Sequence, residues 1–382
     1  LGIGGSALGP IALRTALRPS GWNMLGDAAR DGYPRLHVLD NVDPETIAAL
    51  LERLPLARTL FIVTSKSGGT AETMAQFLIV HDRLLGEGLD VARNFAFITD
   101  PRSGALRPLA QRLGVTALDI PANVGGRFSV LTPVGTLPGA LIGIDVTSLL
   151  AGAAAMAARC ATSDLMKNPA GLYAVLQWLA DTRLRKSIAV FMPYSDPLRD
   201  FAAWFVQLWA ESLGKLRPDG TSVGSTPIAA IGATDQHAQV QLFMEGPADK
   251  TVTFVAVDER ATDVVIPAGF SDVTELGYLG GHSLGELIDI EQRATAGALA
   301  RRARPNMTIR LGKVDSSHVG ELMMFLELAT AYAGELYGID AFNQPGVELG
   351  KQFAYALLGR PGADAARAEW DSLPKSDPRW SI

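Results

Sequence analysis

The chain has 382 residues, of which 48% are hydrophobic and 19% are charged, which is enough apolar material for more than one globular core. Its net charge is −6 and no basic stripe is visible, so nucleic acid is not an expected partner. The single cysteine, Cys160, excludes an intrachain disulfide framework and fits a reducing compartment. No apolar run approaches the roughly 18 residues of a membrane span. We therefore expect a cytoplasmic protein without a membrane partner.

Short β-branched segments alternate with helical patterns along the chain, which predicts parallel α/β architecture. The predicted strands are residues 36–39, 59–64, 94–98, 187–193, 251–257 and 307–311. The predicted helices are residues 71–85, 149–161, 197–213, 284–303 and 318–336. Ser283 and Glu286 have the spacing of a capping box before one helix, and Gly338 is a typical stop signal after the last.

The Ala-rich helix at residues 149–161 is predicted to join two α/β units. We expect a first domain at residues 1–155, a second domain at 165–358 and a polar C-terminal tail at 359–382. The chain begins inside what reads as a glycine turn, and a strand normally precedes such a turn. We therefore expect the N-terminal part of the first domain to be missing from this chain.

The segment Ser65-Lys-Ser-Gly-Gly-Thr70 is a candidate phosphate loop. It follows a predicted strand and precedes a predicted helix, so free backbone N–H groups and the positive end of the helix dipole meet there. The hydroxyls of Ser65, Ser67 and Thr70 add hydrogen-bond donors. The alternative is an ordinary Ser/Gly turn that caps a helix.

The segment Gly2-Ile-Gly-Gly-Ser6 is more ambiguous. With Ala7 it matches a relaxed dinucleotide fingerprint, and Asp40 ends a later predicted strand as a ribose-binding acid would. Asp40 nevertheless lies 33 positions after Ala7, whereas the usual spacing is about 20. A tight βα turn or a sugar contact is therefore favoured over a nicotinamide or flavin site.

Four single residues are candidates for acid, base and cation roles. Glu211 lies late in an amphipathic helix, four residues after Gln207. A desolvated carboxylate at this position suits a general base. The alternative is a solvated glutamate at the end of the helix. Arg127 lies in a segment of low charge and needs an anionic partner, either a structural carboxylate or a substrate oxyanion. His237 and Lys351 are equally compatible with surface positions.

Two other classes of site have weaker support. No Cys/His spacing typical of zinc is present. The segment Gly281-His-Ser-Leu-Gly285 matches the nucleophile-elbow pattern of serine hydrolases, but no strong strand precedes it.

Two longer segments resemble the signatures of the glucose-6-phosphate isomerase family. Residues 126–135 read Gly-Arg-Phe-Ser-Val-Leu-Thr-Pro-Val-Gly, and residues 342–351 read Phe-Asn-Gln-Pro-Gly-Val-Glu-Leu-Gly-Lys. Residues 1–10, 65–73, 211–215 and 235–247 are also similar to this family, in its compact bacterial form. The resemblance therefore extends from residue 1 to at least residue 351.

The resemblance implies an architecture and a reaction. The expected fold is two sugar isomerase (SIS) domains, each a flavodoxin-like parallel sheet in a three-layer α/β/α arrangement. The expected assembly is a homodimer with active sites at the subunit interface. The expected reaction interconverts glucose 6-phosphate and fructose 6-phosphate through ring opening and a cis-enediol(ate), with no metal or redox cofactor.

The resemblance also implies a role for each candidate residue. Glu211 corresponds to the base that moves a proton between C1 and C2, and Arg127 to the residue that faces the enediolate. His237 and Lys351 correspond to the ring-opening pair, with His237 expected to act in the partner's site. The implied substrate contacts are Gly5, Ser6, Ser65, Lys66, Ser67, Thr70, Gln207 and Gln344.

Three alternatives remain beside this reading. The stretch Ser67-Gly-Gly replaces a bulkier Thr-Phe-like stretch and Ser212-Leu-Gly replaces Ser-Asn-Gly, so a bifunctional glucose/mannose 6-phosphate isomerase is one alternative. A non-catalytic SIS regulator that binds a sugar phosphate is another, although it would need the phosphate loop without all four catalytic groups. A nicotinamide-dependent enzyme built on the Gly2 turn is the third.

Overall fold

The computed structural model of the chain describes residues 1–374, 377 and 379. Of the predicted tail at 359–382, residues 375, 376, 378 and 380–382 lie outside the described residues. The chain divides into two compact units, the first being Leu1–Ala341 and the second beginning at Phe342. The predicted domain ranges 1–155, 165–358 and 359–382 stay predictions.

Within the described residues, the strands form two parallel sheets and one short antiparallel pair. The strands are β1 Phe61–Ser65, β2 Phe95–Thr99, β3 Thr116–Asp119, β4 Ile188–Pro193, β5 Lys215–Leu216, β6 Ser222–Val223, β7 Thr226–Ala229, β8 Lys250–Glu259 and β9 Asn306–Lys313. The first sheet has the order β1-β2-β3, and the second has the order β7-β4-β8-β9.

The helices alternate with these strands along the chain. They are α1 Leu8–Leu17, α2 Pro44–Arg53, α3 Ala71–Gly86, α4 Val91–Asn94, α5 Leu106–Leu113, α6 Pro133–Leu141, α7 Val146–Cys160, α8 Pro169–Leu184, α9 Arg199–Leu213, α10 Val240–Glu245, α11 Thr274–Gly277, α12 Leu284–Arg301, α13 Ser316–Tyr337, α14 Glu348–Leu357 and α15 Asp364–Ser372. The last two belong to the second unit, where the rings of Phe353 and Trp370 meet edge to face at 5.4 Å.

The first sheet is covered by helices on both faces. Val63 and Phe97 are fully buried on one face, where Phe77 of α3 packs against the ring of Phe97 at 5.5 Å. Side chains alternate across a strand, so the neighbouring Ile98 points to the other face, where it packs with Val134 of α6. A parallel sheet with apolar residues on both faces requires this three-layer arrangement.

The second sheet follows the same rule with larger side chains. Phe191 of β4 stacks on Phe205 of α9 at 4.6 Å, within a core shared with α8 and α13. Val190 and Met192 point to the opposite face and pack in a cluster with Leu299 of α12. The predicted α/β class with parallel sheets flanked by helices is confirmed.

Most predicted elements are present with ends shifted by a few residues. The hydroxyl of Ser283 accepts the Glu286 N–H at 3.1 Å, and Gly338 ends α13 with φ of +69°, so both predicted helix signals are confirmed. Strands β3 and β7 are not predicted from the sequence, because each has only four residues and lies at a sheet edge. Pro227 interrupts the β-branched pattern of β7, and an edge strand tolerates proline.

The strand predicted at residues 36–39 is wrong. These residues are not part of either sheet, and the Leu39 carbonyl accepts a hydrogen bond from the Gly2 N–H at 3.2 Å. A cavity of about 440 Å³ is lined by residues 34–39 on one side and by Phe61 and Ile62 of β1 on the other. Its lining includes the candidate Ser6 but none of Arg127, Gln207 and Glu211. We therefore do not assign the candidate chemistry to this cavity.

Two further observations concern the helices of the described residues. None of them is both long enough and apolar enough to cross a bilayer. Glu327 of α13 is buried, and its Oε1 atom has no hydrogen-bond partner among the described residues. Burial raises the pKa of the Glu327 carboxyl well above its usual range.

We predict that Glu327→Gln makes the protein more stable than the wild type by a margin that grows with pH. Burial favours the protonated form of the Glu327 carboxyl in the folded protein, whereas in the unfolded chain it ionises above its ordinary pKa of 4.5. Wild-type stability from this group is therefore present below pH 4.5 and falls as pH rises above it. Urea unfolding of both proteins from pH 4.5 to 8 measures the margin.

The matched control for this prediction is Glu335→Gln, which removes an exposed carboxylate from the same helix. It corrects for the change in net charge. A margin for Glu327→Gln that stays constant with pH would contradict a neutral buried carboxyl.

Candidate functional site

A turn at the start of the chain joins three parts of the first unit. The Thr64 N–H donates to the Leu1 carbonyl at 2.9 Å, which fixes the turn beside β1. Gly4 has φ of +58°, and a Cβ there would lie 2.8 Å from Nε2 of Gln207 on α9. The backbone in this left-handed region is open to glycine at little cost.

The next glycine of the turn makes a closer approach. A Cβ on Gly5 would lie 2.2 Å from the carbonyl carbon and oxygen of Gly126 and 2.5 Å from the amide nitrogen of Arg127. The turn and the short 3-10 helix Gly126–Phe128 therefore pack backbone to backbone. This contact explains why residue 5 is a glycine without requiring a bound dinucleotide. It therefore favours the tight βα turn among the interpretations of this motif.

The candidate phosphate loop has the strand-loop-helix form that the sequence predicts. Ser65 ends β1 and Thr70 immediately precedes α3. The Oγ of Ser65 lies 2.9 Å from Oγ1 of Thr70, and Oγ of Ser67 lies 3.3 Å from the same atom. Three hydroxyls thus converge at the N-terminal end of a 16-residue helix, where the helix dipole favours an anion.

The side chain of Lys66 is not hydrogen-bonded to the hydroxyls of Ser65, Ser67 and Thr70. Its ammonium donates to the carbonyls of Pro121 at 3.4 Å and Ala122 at 2.7 Å, and also to that of Val124. Burial lowers the pKa of the Lys66 ammonium from its usual value. Lys66 therefore links the phosphate loop to the segment that leads into Arg127, and its role as a substrate contact stays a prediction.

Arg127 is buried, and its guanidinium faces the carboxylate of Glu211. Nη1 of Arg127 lies 3.7 Å from Oε2 of Glu211, and their side chains are 2% and 26% exposed. Nε of Arg127 donates to the Ser212 hydroxyl at 2.6 Å, and Nη2 donates to the Ala341 carbonyl at 2.5 Å. The anionic partner that the sequence requires for Arg127 therefore includes the candidate base itself.

Burial and charge act in opposite directions on this guanidinium. Burial lowers the pKa of Arg127, and the negative charges of Glu211 and Asp340 oppose that shift. A second cation lies close by, because Lys215 donates to the carbonyls of Glu211 at 2.8 Å and Ser212 at 2.7 Å. Burial, together with the charge of Arg127, lowers the pKa of Lys215 to about 8. Two desolvated cations and the carboxylates of Glu211 and Asp340 thus lie near the end of α9.

Gln207 is placed one helical turn before Glu211, as its spacing predicts. Its Nε2 donates to Oε2 of Glu211 at 3.3 Å. Its Oε1 is buried and has no hydrogen-bond partner among the described residues. A buried amide oxygen of this kind is a ready acceptor for a hydroxyl group.

His237 lies on the exposed surface of the first unit, after the short 3-10 helix Thr234–Gln236. The preceding loop is held by Asp235, which accepts the Ile231 N–H at 2.7 Å, and by Gln236, which accepts the Tyr194 hydroxyl. In the part of the chain that the structure describes, the imidazole makes no hydrogen bond or ion pair with Arg127 or Glu211. The role of His237 in this site stays a prediction.

Gln344 and Lys351 belong to the second unit. Gln344 precedes the short 3-10 helix Pro345–Val347, and Lys351 lies in the first turn of α14. The Lys351 ammonium donates to the Glu348 carboxylate at 2.8 Å, and both side chains are about half exposed. Their proposed roles rest on the sequence resemblance.

The serine of the nucleophile-elbow pattern has a structural explanation. The Ser283 hydroxyl donates to Asp263 at 2.6 Å while it caps α12, so this serine serves as a helix cap. Among the described residues, no group of three or more His, Cys, Asp or Glu side chains is arranged to hold a metal ion.

Ser212, Lys215 and Asp340 were not assigned roles from the sequence. Ser212 and Lys215 follow Glu211 by one and four positions, so Ser212 lies in the last turn of α9 and Lys215 lies two residues beyond its end. This spacing was the available signal for Ser212 and Lys215. Asp340 is remote in sequence, and nothing in the pattern connects it with Arg127.

Comparisons with known proteins agree over nearly the whole chain. Residues 1–376 match the family model described as phosphoglucose isomerase. A glucose-6-phosphate isomerase of Carboxydothermus hydrogenoformans is 49% identical over 386 aligned positions, which cover 100% of this chain and 82% of that protein. A glucose-6-phosphate isomerase of Rubrobacter xylanophilus is 48% identical over 95% of this chain and 82% of its own length.

A solved structure shares the fold as well. The crystal structure of a glucose-6-phosphate isomerase from Chlamydia trachomatis superposes with a TM-score of 0.80 and is 26% identical, covering 98% of this chain and 72% of that one. Agreement of sequence and fold over this extent defines the class as an α/β isomerase. The chain belongs to the phosphoglucose isomerase family.

We predict that Gly5→Ala destabilises the protein by at least about 2 kcal/mol, because its new methyl group meets backbone that cannot yield as a side chain would. Thermal unfolding measures the effect. The control is Gly297→Ala within α12, where a Cβ meets no atom within 4 Å and alanine should stabilise the helix by about 0.5–1 kcal/mol. Equal melting temperatures for Gly5→Ala and the wild type would contradict the backbone contact.

Proposed function

We propose that this chain interconverts glucose 6-phosphate and fructose 6-phosphate, as an aldose-ketose isomerase that works through a cis-enediol(ate). The family membership and the high identity to proteins of that name support this activity. The observation that carries the residue assignments is the pairing of a buried Arg127 guanidinium with the Glu211 carboxylate at 3.7 Å.

Glu211 is the proposed general base. An isomerase of this kind takes the proton from C2 of the open-chain aldose and returns it at C1. A carboxylate that is 26% exposed is both accessible to a substrate carbon and partly removed from water. Its contact with Gln207 orients it from the preceding turn of the same helix.

Arg127 is the proposed stabiliser of the enediolate. A guanidinium stays protonated through the reaction, so it lowers the energy of a developing oxyanion without taking its proton. The hydrogen bonds that it donates to the Ser212 hydroxyl and the Ala341 carbonyl hold it in place before the charge forms. Such preorganisation is the main source of electrostatic catalysis.

The remaining groups are assigned to binding and ring opening. Ser65, Ser67 and Thr70, with the backbone at Lys66, bind the phosphate, and Gly5, Ser6, Gln207 and Gln344 contact the sugar. Convergence of three hydroxyls at the N-terminal end of α3 supports the phosphate assignment. Binding energy from the phosphate orients the reacting carbons, which are remote from it.

His237 and Lys351 are proposed to open the ring, in a cytoplasmic homodimer. The imidazole moves a proton between the C1 hydroxyl and the ring oxygen, and the ammonium assists. The exposed position of His237 is compatible with action in the partner's site. This assignment needs no bond from His237 to Glu211 within one chain.

The proposed reaction is tested with fructose 6-phosphate in deuterated water containing EDTA, followed by NMR at C1 and C2. We predict glucose 6-phosphate with deuterium at C2, because a carboxyl that has taken the C1 proton exchanges it with solvent before returning it. Glu211→Gln should lower kcat by at least about 10³-fold, since an amide cannot take up the proton.

The control is Glu245→Gln, a carboxylate on α10 that is paired with Gln241 and has no role in the proposal. Activity that survives in Glu211→Gln would contradict the base assignment. Sugar phosphate that binds to the wild type without turnover would instead support a regulatory module. Mannose 6-phosphate in the same spectrum would identify the bifunctional enzyme.

The trans position of His237 is tested by mixing two inactive variants. We predict that Glu211→Gln and His237→Ala, after exchange of subunits, regain about one quarter of wild-type activity. Half of the dimers are then mixed, and in each of these one site combines Glu211 of one chain with His237 of the other. If both residues act within one chain, every site in the mixture lacks one of them and activity stays absent.

A further inference from the structure

Ser212 has a contact that its position in the core does not require. It lies on α9 directly after the proposed base and is completely buried. Its Oγ accepts a hydrogen bond of 2.6 Å from Nε of Arg127. A single residue therefore connects the helix that carries Glu211 with the guanidinium that faces it.

The geometry of this bond limits the motion of the guanidinium. A guanidinium is planar, so fixing Nε and Nη2 fixes the direction of Nη1 as well. Nε is held by Ser212 and Nη2 by the Ala341 carbonyl at 2.5 Å, which leaves Nη1 toward Glu211 at 3.7 Å. Removal of the hydroxyl takes away the acceptor that holds Nε, and with it one of the restraints on the plane.

The position of Ser212 on α9 adds a second constraint. Because Ser212 and Glu211 are adjacent, any shift of the helix end moves the base and the support of the arginine together. The same helix end is tied by Lys215, which donates to the carbonyls of both residues. The distance between base and guanidinium is thus set within one helical turn.

We propose that Ser212 is a positioning residue for the isomerase reaction, which aims the Arg127 guanidinium at the enediolate. The inference rests on the proposed function, in which Arg127 stabilises that intermediate. Ser212 itself touches neither substrate nor reacting atoms in this role. Its contribution is therefore expected in the transition state, with little effect on binding of the sugar phosphate itself.

The experiment compares Ser212→Ala with Ser212→Thr and Ser212→Cys. Alanine removes the acceptor, threonine keeps it, and cysteine keeps the volume with a weak acceptor. The matched control is Ser225→Ala, because Ser225 is also buried and accepts a hydrogen bond of 2.9 Å from Trp209 of α9, away from Arg127. Each protein is assayed for kcat, KM and melting temperature.

Two ligands separate positioning from simple folding. The first is the five-carbon phosphosugar hydroxamate, whose planar anionic head group imitates the enediolate; the second is sorbitol 6-phosphate, which has the same chain length as the substrate without that charge. We expect Ser212→Ala to lower kcat by about 10- to 100-fold, with KM changed less than about threefold. Affinity for the hydroxamate should fall by a similar factor while that for sorbitol 6-phosphate is retained.

The outcomes are distinguishable from each other and from failure of the proposed function. Threonine should restore kcat, cysteine should give an intermediate kcat, and Ser225→Ala should lower only the melting temperature. Ser212→Ala with wild-type kcat, or with equal losses for both ligands, overturns the inference. If Ser212→Ala does not fold, wild-type kcat in the cysteine variant overturns it instead. A wild type without turnover overturns the proposed function.

Discussion

The arrangement of the site depends on the cost of burying the positive charge of Arg127. A guanidinium removed from water must be hydrogen-bonded and paired with negative charge, or the folded state is heavily destabilised. The structure meets this requirement with the Ser212 hydroxyl, the Ala341 carbonyl and the Glu211 carboxylate. These groups come from the end of α9 and from the last residue of the first unit. The hydrogen bonds and the ion pair that stabilise the buried charge of Arg127 therefore hold the end of α9 and residue Ala341 close to it.

The glycine turn at the start of the chain brings other parts of the site together, mainly through backbone contacts. The glycine turn bonds to β1 at Thr64, meets α9 at Gln207, and touches the peptide between Gly126 and Arg127 at Gly5. The phosphate loop continues directly from β1, so its hydroxyls are fixed relative to the same turn. The candidate phosphate loop and the buried guanidinium of Arg127 are thus joined through main chain, which varies less in position than long side chains do.

The sequence predicted those features that depend on local patterns. Alternating apolar strands and helices predict the parallel sheets, and the strand-loop-helix order around Ser65 to Thr70 is confirmed, while binding of an anion there stays a prediction. The sequence did not predict features that depend on residues far away along the chain. Residues 36–39 have a strand-like composition, but strand formation needs a neighbouring strand, which no local pattern reports. The pairing of Arg127 with Glu211, 84 positions later, and the bond to Ser212 likewise became visible only in three dimensions.

The contacts of Lys66 have a consequence for how this region tolerates variation. Its ammonium is bound by main-chain carbonyls at positions 121, 122 and 124, which every amino acid provides. Exchanges of side chains in that segment therefore leave the contact intact, whereas an insertion or deletion moves the carbonyls out of reach. Homologues should accordingly preserve the length of this segment more strictly than its residue identities, and loss of the lysine should accompany changes in that length.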